Sequence, residues 1–256
     1  MRRLATPLGR TAVCLDFDGT LAPIVPDPEA ARPLEGTREL LGRLAAEAAA
    51  VALISGRPAA FLAAHAGVPG VRLLGLYGLE EVRDGRVEVD PELAAAQPAV
   101  RAAFADLQSS PPLRDSGAYL EDKGSALGVH LRRVPEPERW AEPVEAAVRQ
   151  AAAGHALEVL PGRLVWELRP PVRRDKGDAV RQVVASSSAA AVVVAGDDRG
   201  DLPAFRAADD LGERDGLERL RVAVRSPEAP PDLLAAADLV VDGPEGLRDW
   251  LQTLLA

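Results

Sequence analysis

The chain has 256 residues, which is enough for one large α/β domain or for a core domain with a smaller insert. Hydrophobic residues make up 47% and aromatic residues only 4%, so the core must consist mainly of Ala, Val and Leu, as in a helix-covered sheet and unlike an aromatic-rich β-sandwich. The formal net charge of -9 excludes a protein that holds nucleic acid through an overall positive field, whereas a local group of Lys and Arg still allows an anionic small molecule.

The first elements along the chain follow a strand–helix–strand pattern. Residues 12–17 and 50–54 are short apolar runs, as expected of buried parallel strands. Between them, apolar residues of segment 40–48 recur at helical spacing, and Thr37 is the predicted N-cap of that helix. This order is the βαβ pattern of an open parallel sheet. Further buried strands are predicted at residues 71–76, 190–195, 220–224 and 239–241.

The middle of the chain has a different pattern. Polar and apolar residues alternate over residues 118–134 and 156–168, with turns predicted at Gly124 and at residues 161–162. A helix is predicted between these two segments, beginning near Pro137. The resulting β-β-α-β-β order indicates an antiparallel insert.

These patterns predict an α/β fold, with a doubly wound, Rossmann-like parallel-sheet core and an inserted smaller α/β cap domain. We place the boundaries near Pro98 and Pro170. Residues 1–97 and 170–256 then form the core, and residues 98–169 form the cap.

The compartment is predicted from what the chain contains. Cys14 is its single cysteine, which excludes an intrachain disulfide and favours a reducing compartment. The first ten residues include two arginines but no apolar segment of the kind found in signal peptides, and no apolar run reaches the length of about 18 residues that a membrane span needs. We expect a cytoplasmic protein.

The strongest chemical signal is the DFDGT string at residues 16–20, directly after the first strand. Ligands of open α/β sheets bind at the carboxyl ends of the strands. Residues i and i+2 of an extended chain point to the same side, so Asp16 and Asp18 are able to face one ligand. The structural alternative is a strand that ends in an ordinary Asp-Gly turn.

This string resembles the first motif of the haloacid dehalogenase superfamily of phosphatases. The resemblance implies that Asp16 attacks phosphorus and forms an aspartyl-phosphate, a role that suits a group already ionised at neutral pH. It also implies that Asp18 protonates the leaving alkoxide and then activates the hydrolytic water. Thr20 would bind a phosphoryl oxygen.

The other motifs of that superfamily follow in the same order. Ser55, Gly56 and Arg57 come after the second strand, where the resemblance implies a hydroxyl and neighbouring groups that bind the phosphate-bearing substrate. Lys176 begins a predicted helix and would offset negative charge on both the nucleophile and the phosphate. Each motif alone is weak, but their order along the chain identifies the class of enzyme.

The last motif, GDDRGDL from residue 196, would hold Mg²⁺, a cation that prefers oxygen ligands. The family string usually continues GDDxTDE, so Gly200 and Leu202 are departures here. Loss of a carboxylate that hydrogen-bonds to the metal ligands alters metal affinity by about 10-fold or more. The resemblance implies metal binding by Asp16, Asp18, Asp197, Asp198 and Asp201, with Asp197 and Asp201 favoured over Asp198 as direct ligands.

A second set of strings lies mostly in the predicted insert: EDKG from residue 121, HLR from 130 and ELRP from 167, together with GLYGLE from 75. These resemble the trehalose-6-phosphate phosphatase family, in which such strings of the cap domain bind the disaccharide. The structural alternatives are a plain hairpin turn for EDKG and solvent-facing strand residues for the others. The resemblance implies substrate binding by Glu121, Lys123, His130, Arg132 and Glu167.

We therefore predict a Mg²⁺-dependent phosphatase that converts trehalose 6-phosphate and water to trehalose and phosphate. Its partner would be a small sugar phosphate, with no nucleic acid and no membrane, and a monomer is the simplest assembly. One alternative is a phosphatase of the same superfamily that acts on another sugar phosphate, such as that of sucrose or glucosylglycerol. Others are a phosphoryl-transferring mutase and a catalytically inactive sugar-phosphate sensor, although a sensor would be expected to lose Asp16 or Asp18.

Overall fold

The computed structural model describes residues 4–25, 27–162, 164–227 and 229–255. The chain forms two compact units, one made of the residues up to Glu88 together with those from Arg174 on, and one made of Val89–Arg173. Both boundaries proposed from the sequence, near Pro98 and Pro170, lie within the second unit. The roles assigned to the two domains stay predictions.

Short apolar runs form most of the strands, which belong to two separate sheets. In the described part of the chain the strands are β1 Thr11–Leu15, β2 Ala50–Ile54, β3 Val71–Gly75, β4 Glu80–Arg83, β5 Arg86–Val89, β6 Tyr119–Asp122, β7 Leu127–His130, β8 Glu158–Gly162, β9 Val165–Arg169, β10 Ala191–Gly196, β11 Glu218–Arg225 and β12 Leu239–Asp242.

Helices connect most of these strands, and several begin with proline in the first turn, where a missing N–H costs no hydrogen bond. The α-helices are α1 Thr37–Glu47, α2 Ala59–Ala66, α3 Pro91–Ser109, α4 Pro111–Ser116, α5 Pro137–Gly154, α6 Lys176–Ala185, α7 Leu202–Asp215, α8 Pro231–Ala236 and α9 Gly243–Gln252.

The first unit contains an eight-stranded sheet of order β12-β11-β10-β1-β2-β3-β4-β5. The pairs from β12 to β3 are parallel, and β4 is antiparallel to β3. The central strand β1 pairs with β10 on one side and β2 on the other, with Leu15 opposite both Ala195 and Leu53. The carboxyl ends of these three strands therefore meet at one edge of the sheet.

Both faces of the large sheet are covered. Val13 and Leu15 pack into a core with α1, α2 and α9, whereas Ala12 and Cys14 pack on the other face with α6, α7 and α8. Alternate residues of one strand thus enter two different cores, which explains why β1 is a continuous apolar run. The predicted doubly wound α/β fold is confirmed.

The second unit contains an antiparallel sheet of order β6-β7-β9-β8. Leu127, Val129, Trp166 and Leu168 form one face of this sheet and pack with residues of α3 and α5 into a separate core. The opposite face carries polar side chains. No helix in the described ranges is both long enough and apolar enough to cross a bilayer.

Three details differ from the sequence predictions. Thr37 is the first residue of α1 and Gly36 is its N-cap, so the predicted cap is one residue too late. Pro161 and Gly162 pair with β9 as the end of β8, and the reversal comes after them, where Leu164 has a φ of 58°. Helices α3 and α4 and the β4–β5 hairpin were not predicted.

Candidate active site

The first motif forms a tight loop at the end of β1. The Asp16 N–H donates to the Ala195 carbonyl of β10 at 3.0 Å, and the Phe17 carbonyl accepts from two later N–H groups at 2.9 Å, which turns the chain back on itself. Gly19 has a φ of +74°, and a Cβ there would lie 2.0 Å from the Asp197 Oδ2 atom. Only glycine allows the two acidic loops to approach this closely.

Asp16 belongs to a buried group of interacting side chains. The Lys176 Nζ atom donates to Asp16 Oδ1 at 2.7 Å and to Asp201 Oδ1 at 2.6 Å. The Thr20 hydroxyl lies 3.2 Å from Asp16 Oδ2 and 3.1 Å from Asp197 Oδ1, and donates to one of them at a time. Lys176, from α6, thus connects acids that are far apart in the chain.

Helix α6 holds Lys176 in place through its N-terminus. The Asp175 side chain accepts from the Gly177 and Asp178 N–H groups at 2.8 and 3.1 Å, and the Asp178 side chain accepts from the Asp175 N–H. This reciprocal capping box fixes the first turn of the helix. The predicted helix start at Lys176 is confirmed.

Asp201 organises the last motif. Its Oδ2 atom accepts from the N–H groups of Asp197 and Asp198, at 2.9 and 3.1 Å. A Cβ on Gly196 would lie 2.1 Å from the Asp201 Cγ atom, so glycine is needed there as well. Asp198 itself is exposed, whereas Asp197 and Asp201 are buried.

Burial raises the pKa values of all three buried acids. The pKa of Asp16 rises to about 6 although Lys176 opposes the shift, and that of Asp197 rises to about 6 with a further contribution from the Asp201 charge. Burial and the neighbouring Asp16 raise the pKa of Asp201 to about 7. Burial also disfavours the charge on Lys176, but the two carboxylates outweigh it and raise its pKa above the usual value.

Asp16, Asp197 and Asp201 fit a divalent cation. Each offers a carboxylate oxygen, and these oxygens lie within 4.8 Å of one another. Lys176 pairs with Asp16 and Asp201, so when all three acids are ionised an excess of two negative charges is left in a buried place. A hard cation such as Mg²⁺ binds carboxylate oxygens of this kind and would remove that excess.

The second motif follows β2. Ser55 is buried, and its Oγ atom accepts from the Arg57 N–H at 3.2 Å. The backbone on either side is tied to the 75–80 string, because Leu76 donates to the Arg57 carbonyl and Tyr77 to the Ser55 carbonyl, both at 2.9 Å. A Cβ on Gly56 would meet the Tyr77 hydroxyl at 2.8 Å, so the small residue makes room for that ring.

The Arg57 side chain reaches the first motif. Its Nε and Nη2 atoms donate to the two carboxylate oxygens of Asp18 at 2.8 and 2.9 Å. The two residues line a cavity of about 330 Å³. The other lining residues are Ile24, Val25, Ala31, Asp197 and Asp198.

In the second unit, the polar face of the sheet gathers four of the five substrate-binding residues predicted in the insert. Glu121 Oε2 lies 2.9 Å from His130 Nε2, and Lys123 Nζ donates to Glu167 Oε2 at 2.7 Å. The strand register places Glu121 and Glu167 on either side of Gly128. Arg132 lies two residues beyond the end of β7 and is exposed.

The structure thus brings together Asp16, Thr20, Lys176, Asp197 and Asp201, and separately Asp18 with Arg57. Sequence reasoning missed several residues at the edges of the site. Ile24 and Val25 have no motif around them. Tyr77 stands in a string that was noted only for its resemblance to the family.

Comparisons with known proteins show the family of the chain. The family model described as trehalose-phosphatase matches residues 14–232. The chain is 41% identical to a trehalose-phosphate phosphatase of Mycobacterium avium over 211 residues, which cover 82% of the chain and 51% of that relative. It is 39% identical to that of Mycobacterium tuberculosis H37Rv over 250 residues, which cover 95% of the chain and 61% of the relative. The chain therefore spans between half and two thirds of the length of these relatives.

Solved structures share the fold. A trehalose-6-phosphate phosphatase related protein has a TM-score of 0.72 at 22% identity, over 95% of this chain and 96% of that one. A haloacid dehalogenase-like hydrolase from Bacteroides thetaiotaomicron has a TM-score of 0.65 at 16% identity, over 95% and 99% of the two chains. At these identities the likeness concerns the fold alone.

Proposed function

The chain belongs to the trehalose-phosphatase family, and from that membership and its buried acidic site we propose that it hydrolyses trehalose 6-phosphate to trehalose and phosphate. The observation that carries this proposal is the group of Asp16, Lys176, Asp197 and Asp201 at the carboxyl edge of the sheet. A nucleophilic carboxylate, a fixed cation and two further acids are what metal-assisted phosphoryl transfer requires.

Mg²⁺ is the proposed cofactor, held by Asp16, Asp197 and Asp201, with Asp18 and Asp198 close by in sequence. When bound, it would supply positive charge to the phosphoryl oxygens of the substrate. The hydrogen bonds indicate different roles for these acids. Asp201 already accepts two backbone N–H groups and the Lys176 ammonium, so its first task is to orient the loop that carries Asp197.

The proposed reaction has two steps. In the first, an Asp16 oxygen bonds to phosphorus while the bond from phosphorus to the sugar oxygen breaks, and Asp18 gives a proton to that oxygen. In the second, Asp18 takes a proton from water, whose oxygen bonds to phosphorus and releases Asp16 and phosphate. Lys176, Thr20 and Ser55 bind and orient the phosphoryl group, and Gly56 leaves room for the Tyr77 ring next to the loop of Ser55.

The polar face of the second unit is the proposed sugar-binding surface. Glu121, Lys123, His130 and Glu167 offer acceptors and donors already held by one another, which limits the side-chain entropy lost on binding. Arg132, two residues beyond the end of β7, is proposed to contact the substrate as well. The lone buried cysteine and the small charged substrate favour a cytoplasmic location.

Phosphate release from trehalose 6-phosphate and from glucose 6-phosphate, each with Mg²⁺ and with a chelator, tests the proposal. We expect Mg²⁺-dependent release that strongly favours the disaccharide. Asp16→Asn keeps the shape but loses the nucleophile, and its activity should fall below about 1% of wild type. Equal rates on both sugars would move the proposal to another sugar phosphate, and an active Asp16→Asn variant would remove Asp16 as nucleophile.

A further inference from the structure

The Arg57 side chain is held in a defined place beside Asp18. Two of its nitrogen atoms donate to the two oxygens of that carboxylate, at 2.8 and 2.9 Å. Such a fork of parallel hydrogen bonds is the strongest and most directional form of an ion pair. The Arg57 side chain is only 19% exposed, compared with 36% for Asp18. In this pair the guanidinium is therefore the more buried partner and the carboxylate the more exposed one.

The Arg57 guanidinium also packs against an aromatic ring, that of Phe61. Its guanidinium carbon lies 4.6 Å from the centre of the Phe61 ring, within the range of a cation–π contact. Phe61 in turn makes an edge contact with Phe17, at 5.8 Å between ring centres. Phe17 is fully buried and stands between Asp16 and Asp18 in the chain. Arg57, Phe61, Phe17 and Asp18 thus close a ring of contacts around the first motif.

We propose that Arg57 is a positioning residue for Asp18, and that its role is to fix the carboxylate that exchanges protons with the leaving group and the water. This inference rests on the proposed function. In the first step Asp18 loses its proton to the sugar oxygen as the phosphorus–oxygen bond breaks. The Arg57 fork pairs with the carboxylate that this transfer produces, and holds it as the base for the second step.

The two possible roles of Arg57 differ in their chemistry. A residue that binds the phosphate supports every phosphate ester alike, because the phosphoryl group is common to all. In the first step, a residue that acts through Asp18 matters only when the leaving group needs a proton. A sugar alkoxide needs one, whereas a dinitrophenolate leaves without it.

The test compares kcat/KM for trehalose 6-phosphate and for 2,4-dinitrophenyl phosphate, since this constant reports the first irreversible step. The variants are Arg57→Lys, Asp18→Asn and the double variant. Lysine keeps the charge but not the fork. We expect Arg57→Lys to lower kcat/KM about 30-fold for the sugar ester and less than about threefold for the aryl ester. In the double variant the loss should equal that of Asp18→Asn alone.

Two controls accompany the test. Arg221 forms a similar fork on Asp238, at 2.9 and 3.1 Å with a 17% exposed side chain, and does not line the cavity, so Arg221→Lys should affect both esters equally and by less than about twofold. Phe61→Leu removes the ring below Arg57 and should give a smaller loss with the same preference for the sugar ester.

The proposal would be overturned if Arg57→Lys lowered kcat/KM equally for both esters. It would also be overturned if the losses of the two single variants multiplied in the double variant. Either result would indicate that Arg57 binds the phosphate. If the wild-type protein prefers another alkyl phosphate such as glucose 6-phosphate, that ester replaces trehalose 6-phosphate in the test. Only the proposed substrate is then contradicted, and the role of Arg57 is still tested. A chain that hydrolyses neither class of ester with Mg²⁺ overturns both proposals.

Discussion

Single residues decide whether the two acidic loops can meet. Gly19 and Gly85 have the same φ of +74°, but a Cβ on Gly19 would meet the Asp197 carboxylate, whereas a Cβ on Gly85 would have no atom within 4 Å. Gly85→Ala should therefore cost only the strain of a left-handed residue, about 1–2 kcal/mol. Gly19→Ala carries the same strain and must also displace Asp197. We expect it to cost roughly 1–3 kcal/mol more and to abolish phosphatase activity.

Urea unfolding and Mg²⁺-dependent phosphate release measure the two effects. The matched pair separates backbone strain from the collision, because Gly85 lies in the β4–β5 hairpin and does not line the cavity next to Asp18 and Arg57. Equal stability losses in the two variants, with activity retained in Gly19→Ala, would mean that the two loops have room to move apart.

At the scale of elements, the buried strands were predictable because each is an apolar run that both faces of the sheet cover. The predicted strands at 12–17, 50–54 and 190–195 agree with β1, β2 and β10 within two residues at either end. The start of α6 at Lys176 was also predicted, because Ala179, Val180 and Val183 follow it as an apolar helical face. The secondary structure of such segments can be predicted from their own residues alone.

Other elements depend on partners elsewhere in the chain. Strand β4 contains Glu80 and Glu81, two buried acids that are stable there because Ala59 N–H and Arg72 donate to them. The Asp-Gly pair at residues 84–85 is typical of a hairpin turn. The hairpin was missed because the strands on either side are rich in charged residues. Helix α3 carries Pro98 in its interior, which argues against a helix from sequence alone.

The proposed sugar-binding role of the polar face of β6, β7 and β9 leads to a separate prediction. Glu121→Ala should lower kcat/KM for trehalose 6-phosphate by about 10- to 150-fold, because one charged hydrogen bond to a sugar is worth roughly 1.5–3 kcal/mol. An aryl phosphate has no sugar to bind, so its hydrolysis should change by less than about threefold. Lys176→Ala should lower kcat/KM for both substrates, since Lys176 contacts Asp16, the proposed nucleophile.

Parallel assays on the two substrates provide the measurement, with Glu145→Ala as control. Glu145 pairs with Arg149 on α5, in the same unit, so its loss removes a carboxylate without touching the sheet face. If Glu121→Ala harmed both substrates alike, Glu121 would belong to the fold or the chemistry. If it harmed neither, EDKG would be a plain hairpin turn.

On the scale of the whole molecule, the motifs at residues 16, 176 and 197–201 come together because β1 and β10 are neighbours in a parallel sheet. That meeting was implied by the resemblance of these motifs, in their order along the chain, to those of the haloacid dehalogenase superfamily. The contacts of Arg57 could not be predicted, because they depend on the conformation of a loop after β2 and on the ring of Phe61. The roles of all these residues in catalysis stay predictions.

The same grouping of acids links stability to pH and metal. Asp16, Asp197 and Asp201 have folded-state pKa values of about 6, 6 and 7, raised mainly by burial above those of unfolded acids. An acid whose pKa is raised by folding binds its proton more tightly in the folded state. Its contribution to the stability of the fold is therefore largest at low pH. That contribution is lost as the pH rises through about 6 to 7.

The metal-free chain should therefore be more stable at pH 5.5 than at pH 8, with a melting temperature higher by roughly 5 °C. Saturating Mg²⁺ should raise the melting temperature at pH 8, where the acids are ionised, and much less at pH 5.5, where protons compete for them. Thermal unfolding at both pH values, with chelator or Mg²⁺, measures this. Asp197→Asn should weaken both effects, whereas Asp84→Asn, which changes an exposed acid of the hairpin, should leave them intact. Equal protection by Mg²⁺ at the two pH values would show that the ion binds outside this group of acids.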